Sequence, residues 1–266
     1  MNIIINSDDF GISESANQAI VALHKKGVLS SASLMVDMPC AEAAAAIAKK
    51  QNIPVGLHFN LTVGPSAKYK GRLDFERSLM FGQVRIRSLK KELMRQYEKF
   101  LSFGLTPTHL DTHQHIHNWP LIFPVFARFA KKHKIPIRLI LEKPIFNKYD
   151  KPKLSDLKHL IRKMFLLACG YLNLITAKLL RVKTNRSLTS VFALLPCPVQ
   201  LEHKHLRLIL QNWRSNTEYM CHPITNVENT PTNTTEISLR EYNLMTNPEF
   251  FAMLNNRYNL INFGGL

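Results

Sequence analysis

Short β-branched runs alternate with helix-forming stretches along most of this chain, and that alternation constrains its fold more than any other feature. Ile3-Ile4-Ile5 is an apolar run ended by Asn6-Ser7-Asp8-Asp9, which reads as a buried strand entering a polar loop. Further strands are expected over 31–36, 53–61, 107–113, 135–140, 190–195, 218–222 and 260–263. Ser13 followed by Glu14 starts a capped helix running to Lys25. Other helices are expected over 41–50, 88–103, 121–133, 202–213 and 248–256. Gly104 stops the third of these six. Thr246 or Asn247 can cap the last, with Pro248 at its first helical position. Strands alternating with helices imply a parallel sheet. Seven or eight such units in 266 residues predict one α/β domain over 1–266, a closed or nearly closed (β/α) barrel. The chain has no internal repeat, and its 45% hydrophobic content is enough for a full core.

Such a barrel gathers the C-terminal ends of its strands on one face, so polar residues at strand ends matter most. The densest group is His109-Leu110-Asp111-Thr112-His113-Gln114-His115-Ile116-His117. If extended, its odd positions share one face, which would align four imidazoles with a carboxylate. Neutral imidazole and carboxylate are good ligands for divalent ions. A strand advances about 3.3 Å per residue, so one ion can take only one or two of them. The others would orient those ligands or meet substrate. The plainer alternative is a solvent-facing polar loop.

Asp8 and Asp9 follow the first strand, His58 sits near the end of the third, and His222 ends another just before Pro223. Each has an ordinary structural reading when taken alone: a turn pair, a core histidine, a strand end. A barrel would bring them together, and an Asp-His-His site with open positions is what a hydrolytic metal centre needs.

Cys40, Cys169, Cys197 and Cys221 form no C-x-x-C pair, which argues against a disulfide framework or a thiolate zinc site. The opening MNIIINSDDFG reads as a strand rather than a signal peptide, so a cytoplasmic location is expected. Charge is the unusual global property: 35 Lys+Arg against 19 Asp+Glu, a formal net of +16. It suits an anionic partner, or it is a general solubility device. Residues 143–186 concentrate this charge, with eleven Lys/Arg against Asp150 and Asp156. Inside them, residues 164–177 form a run of fourteen without charge, short of the roughly 20 that span a bilayer. The favoured reading is an ordinary helix packed on the barrel with a basic rim. The other is a helix lying in a membrane interface, on the inner face of the membrane.

The motifs Asn6-Ser7-Asp8-Asp9-Phe10-Gly11, Gly56-Leu57-His58-Phe59, Thr108 to His117, and Met220-Cys221-His222-Pro223 resemble those of the YdjC-type carbohydrate deacetylases. That family includes chitooligosaccharide deacetylases and hopanoid-biosynthesis-associated members. It commonly has Ala where this chain has Ser7. The resemblance implies a distorted TIM-like barrel and one divalent metal ion, Mg2+ or Zn2+, held by Asp9, His58 and His113. It makes Asp8 the general base and His222 a general acid. It places Arg138, with His115 and His117, on the substrate. The implied reaction removes the acetyl group from an N-acetylated amino sugar. The basic insertion 143–186 departs from an enzyme acting on a small free sugar. It leaves open a lipid-linked sugar, peripheral membrane contact and a homodimer.

Two rival readings stand beside this one. A metal-dependent phosphoesterase would suit the basic surface, but the first strand lacks a His-x-His. A non-enzymatic protein binding an anionic surface would suit the charge and leave the ligand set unexplained. No nucleic-acid-binding motif is present, and a nucleic-acid partner is not expected.

Overall fold

The computed structural model describes residues 1–198, 200–228, 235–254 and 257–266. Its strands are β1 (Asn2–Phe10), β2 (Ser31–Leu34), β3 (Val55–Phe59), β4 (Leu110–Thr112), β5 (Ile145–Phe146), β6 (Ser187–Thr189), β7 (Leu194–Leu195), β8 (Thr217–Cys221) and β9 (Asn259–Leu260). Its helices are α1 (Glu14–Lys25), α2 (Ala41–Gln51), α3 (Arg72–Met80), α4 (Ile86–Ser102), α5 (Phe123–His133), α6 (Leu154–Leu180), α7 (His203–Gln211), α8 (Thr235–Met245) and α9 (Pro248–Leu254).

The alternation produces the parallel sheet it predicts. Six strands pair in the order β4-β3-β2-β1-β8-β6, and β9 adds to β1. Ile3, Ile4 and Ile5 are fully buried, as befits a central strand covered on both sides. The sheet curls, with helices around it, into a distorted TIM-like barrel. The α4 helix shows how the outer layer is fixed. Leu89, Leu93, Gln96 and Phe100 recur at helical spacing and are its buried side.

The gap between β4 and β6 is filled by residues 137–142. The strand expected at 135–140 is reduced there to isolated parallel bridges, Leu110 to Ile137, Ile137 to Thr184 and Glu142 to Leu188. The reason is local. Ile137 N–H donates to Lys183 O at 3.0 Å, but Leu139 N–H donates to the side-chain Oδ1 of Asn185 at 2.6 Å. An amide side chain replaces the backbone ladder, so closure is real but irregular.

Other expectations shift for equally local reasons. The run 190–195 is not one strand, because Ser190 Oγ accepts from Phe192 N–H and opens a 3-10 turn before β7. β9 stops at Leu260, because Asn262 Oδ1 accepts from Gly264 N–H and starts another turn. Ser13 caps α1, its hydroxyl accepting from Ala16 N–H at 3.2 Å. Asn247 Oδ1 accepts from Glu249 N–H at the start of α9. That helix is described to Leu254, and the expected end at 255–256 lies outside the described residues. α3 and α8 are helices that the hydrophobic pattern does not signal.

The stretch 109–117 is not extended. β4 ends at Thr112, and residues His113–Asn118 form a kinked 3-10 turn with positive φ at Gln114 and His115. The expected single face of aligned imidazoles does not exist; the turn distributes them over three environments. The basic stretch contains one long helix, α6, of 27 residues. By length and hydropathy it could cross a membrane, yet its middle packs on the barrel through Leu167, Cys169, Gly170, Asn173 and Ala177.

Candidate active site

Strand alternation would send Asp8 and Asp9 to opposite faces of β1. The register against β2 slips between Ser7 and Phe10, and Asp9 has φ of 63°. This bulge turns both carboxylates toward the barrel mouth, a use of bulges common beside functional sites. An aspartate tolerates the left-handed region better than most residues, which suits Asp9 to the position.

Asp9 Oδ1 lies 3.3 Å from His58 Nε2 and 3.0 Å from His113 Nδ1. The ligand atoms of these three residues all lie within 4.8 Å of one another. The other nitrogen of His58, Nδ1, is 2.8 Å from Asp111 Oδ1. A carboxylate on the far nitrogen fixes the ring's tautomer and aims Nε2, as at imidazole–metal sites generally. A divalent ion therefore fits this donor set. Burial favours neutral His58, yet the Asp111 and Asp8 charges outweigh it and raise its pKa to about 10. Burial likewise opposes charge on Asp9, but His113 and His58 bring its pKa well below the usual carboxylate range. A cation bound there would take the place of the proton on His58 Nε2, since only neutral imidazole is a ligand.

Beneath them the barrel interior is ionic rather than aliphatic. Arg138 is fully buried. Its Nη1 and Nη2 donate to Asp8 Oδ2 and Oδ1 at 2.8 and 2.6 Å, and its Nε donates to Glu218 Oε1 at 2.8 Å. It also pairs with Asp111 at 2.5 Å. Arg138 therefore spends its guanidinium on three carboxylates and lies beneath the cleft, where the resemblance expected it on the substrate. Burial raises the Glu218 pKa to about 7, against the pull of Arg138 and with help from Asp8 and Asp111.

His117, also expected on the substrate, is likewise interior. It is buried, with Nδ1 at 2.6 Å from Thr112 Oγ1 and Nε2 at 3.0 Å from Arg138 O. It braces the turn and the Arg138 backbone. Burial lowers its pKa to about 4, so it is neutral. His109 is also interior, stacked on Phe263 at 3.9 Å, and its pKa is likewise pushed down to about 4 by burial. Gly56 makes room for that ring: a Cβ there would stand 2.3 Å from His109.

His115 does line the cleft. The open cleft has a volume of about 620 Å³ and is bounded by Asp8, Asp9, His58, His113, His115 and His222, among others. His222, which follows the adjacent strand β8, places its Nε2 4.0 Å from Asp8 Oδ2. Its backbone N–H donates to Glu241 Oε2 at 3.0 Å, and Tyr219 Oη donates to Glu241 Oε1 at 2.6 Å. Glu241 thus holds the end of β8 in place. Sequence reasoning gave no role to Glu218 or Glu241. The available signal for Glu218 was a lone acid inside a strand that faces the core.

The fold and site together define a class: a parallel α/β barrel with a candidate carboxylate–imidazole cation site at the C-terminal ends of its strands. The family model for YdjC-like proteins matches residues 2–256, and the chain belongs to that family. A carbohydrate deacetylase of Geobacillus stearothermophilus is 42% identical over 143 residues, 51% of this chain and 58% of that protein. A chitooligosaccharide deacetylase of Serratia marcescens is 35% identical over 148 residues, 52% of this chain and 58% of that protein. The chain thus matches a little over half the length of these relatives. A solved protein of Enterococcus faecalis V583, named for cellobiose-phosphate cleavage, superposes with a TM-score of 0.71 at 20% identity. It covers 99% of this chain and 98% of its own. A lactam utilization protein from Thermus thermophilus superposes with a TM-score of 0.55 at 13% identity, with 98% and 99% covered. Both likenesses concern the fold.

Proposed function

We propose that this protein is a metal-dependent hydrolase that removes the acetyl group from an N-acetylated amino sugar. The observation that carries this reading is the group Asp9, His58 and His113 at the mouth of the cleft, with Asp8 and His222 lining the same cleft. The deacetylase relatives support it.

An acetamide is a weak electrophile with a poor leaving group, so it needs an activated water, a stabilised oxyanion and a proton for the amine. Asp9, His58 and His113 would hold a divalent ion, which when bound acidifies water and polarises a carbonyl. The carboxylate of Asp8 takes the proton of the attacking water. Arg138 and Asn6 position that carboxylate: Asn6 Nδ2 donates to Asp8 Oδ1 at 2.8 Å, beside the two guanidinium bonds. Water oxygen bonds to the carbonyl carbon, the C–N bond breaks, and His222 Nε2 gives a proton to the departing amine. Acetate and the free amino sugar are the products. His115, on the cleft wall, contacts the sugar.

A phosphoesterase is the second reading, and the placement of Lys70 and Arg72 on the cleft wall supports it. The separating experiment offers N-acetylglucosamine oligomers and sugar phosphates to metal-stripped and metal-restored protein. Metal-dependent acetate release without phosphate release is expected. Phosphate release without acetate would overturn the deacetylase reading.

A further inference from the structure

The α6 helix has two apolar faces, and the barrel covers only one. Gly170, Asn173 and Ala177 lie on the packed face. Gly170 sits so close that a Cβ would stand 2.2 Å from Ile140 O, and Asn173 Nδ2 donates to Asn118 O at 2.7 Å. Leu172 is two residues from Gly170, which at 3.6 residues per turn puts it on the opposite side. Leu154, Leu157, Ile161, Met164, Ala168, Leu172, Ile175 and Leu179 repeat at intervals of three and four along that side. All are exposed, Leu154 and Leu179 by 84% and 79%. From 154 to 166 every residue is exposed or partly exposed, and contacts with the barrel run only along the inner side, as in the Phe165 ring 5.5 Å from that of Trp119. Leu121, in the segment before α5, and Phe146, at the end of β5, are exposed too, by 74% and 78%.

The charges around this stripe say what covers it. Lys158 and Arg162 flank one edge and Lys178 the other, all exposed, with Lys151, Lys153 and Arg181 at the helix ends. Lys163 lies on the packed side and pairs with Glu142 at 2.7 Å. A second copy of this chain would bring like charges against like. Anionic lipid headgroups would meet the basic edges while the stripe enters the acyl boundary. We propose that the outer face of α6 docks this protein on an anionic lipid bilayer as a peripheral, interfacial helix. The middle of α6 is bonded to the turn His113–Asn118 through Asn118 and Asn173, so the docking helix is fixed to the turn that carries His113 and His115. The proposal stands independently of the reaction catalysed.

The test is flotation of the full chain with phosphatidylcholine vesicles, with and without phosphatidylglycerol. Wild-type protein is expected to float with the anionic vesicles and stay behind with the neutral ones. Lys158→Glu together with Arg162→Glu should weaken binding at least about tenfold. Ile161→Glu together with Met164→Glu should abolish it with no change in Tm, since both side chains are exposed. Acetate release from a small soluble sugar should be unchanged in the Ile161/Met164 variant, so docking and catalysis fail separately. Equal binding to both vesicle types, no binding, or full binding by the variants would overturn the proposal. So would a dimer in solution that the Ile161/Met164 variant splits, which would assign the face to a second copy.

Discussion

In the proposed reaction Asp8 has one task, to accept a proton, while its neighbour Asp9 faces His58 and His113. The two roles make different predictions. Asp8→Asn should keep its bond from Asn6 and lower turnover about 10² to 10⁴-fold while bound metal, measured by elemental analysis, stays at the wild-type level. His113→Ala should lose metal and activity together; stoichiometric metal in that variant would remove His113 from the ligand set. Arg138 is different again. Arg138→Met would leave Asp8, Asp111 and Glu218 buried without their shared cation, which costs about 3–5 kcal/mol in comparable sites, read as a lower urea midpoint. An unchanged midpoint would contradict the ionic core described here. The candidate cation-binding group Asp9, His58 and His113 was legible in the sequence because each of its residues lies at a strand end. The true places of Arg138 and His117 were not, because a charged residue near a strand end reads the same whether it points into the cleft or under it.

At the scale of elements, the clearest constraint is the fit of β3 against β4. Gly56→Ala would push a methyl into the His109 ring. It is expected to destabilise the fold and lower Tm, and an unchanged Tm would show that His109 moves freely. The α4 helix is tied to the loop after β3 by Gln96, whose Nε2 donates to Asn60 O and Glu92 Oε1. Burial opposes charge on Glu92, but Arg95, Gln96 and Lys68 outweigh it and bring its pKa down to about 2. A lowered carboxylate pKa stabilises the fold above its unfolded value of 4.5, and that stability is lost as pH falls from there toward 2. Glu92→Gln should therefore flatten the acid side of the stability profile between those limits and leave its slope above them unchanged. Most elements followed from periodicity, because long amphipathic helices and β-branched runs carry their pattern locally. The failures at 135–140, 190–195 and 260–263 all trace to one side chain, Asn185, Ser190 or Asn262, that bonds to backbone in place of a ladder.

The whole molecule is a parallel barrel whose interior is charged at the mouth and apolar around the outside. The fold class was legible because alternating strands and helices admit few other arrangements, while the closure through 137–142 depends on long-range bonds no local pattern records. The concentration of charge in 143–186 was visible too, but only the structure separates the packed and exposed sides of α6. An ion that binds the folded barrel and not the unfolded chain must stabilise it, by about 2.7 kcal/mol at a hundredfold excess over its Kd. Chelation should accordingly lower Tm, and re-addition of the ion should restore it. The most direct test of the central claim is acetate release from N-acetylglucosamine oligomers, followed as a divalent ion is titrated into metal-stripped protein. Release that starts near zero, rises with added ion and saturates at one ion per chain is the predicted result. Release that is already complete in the stripped protein would contradict the account.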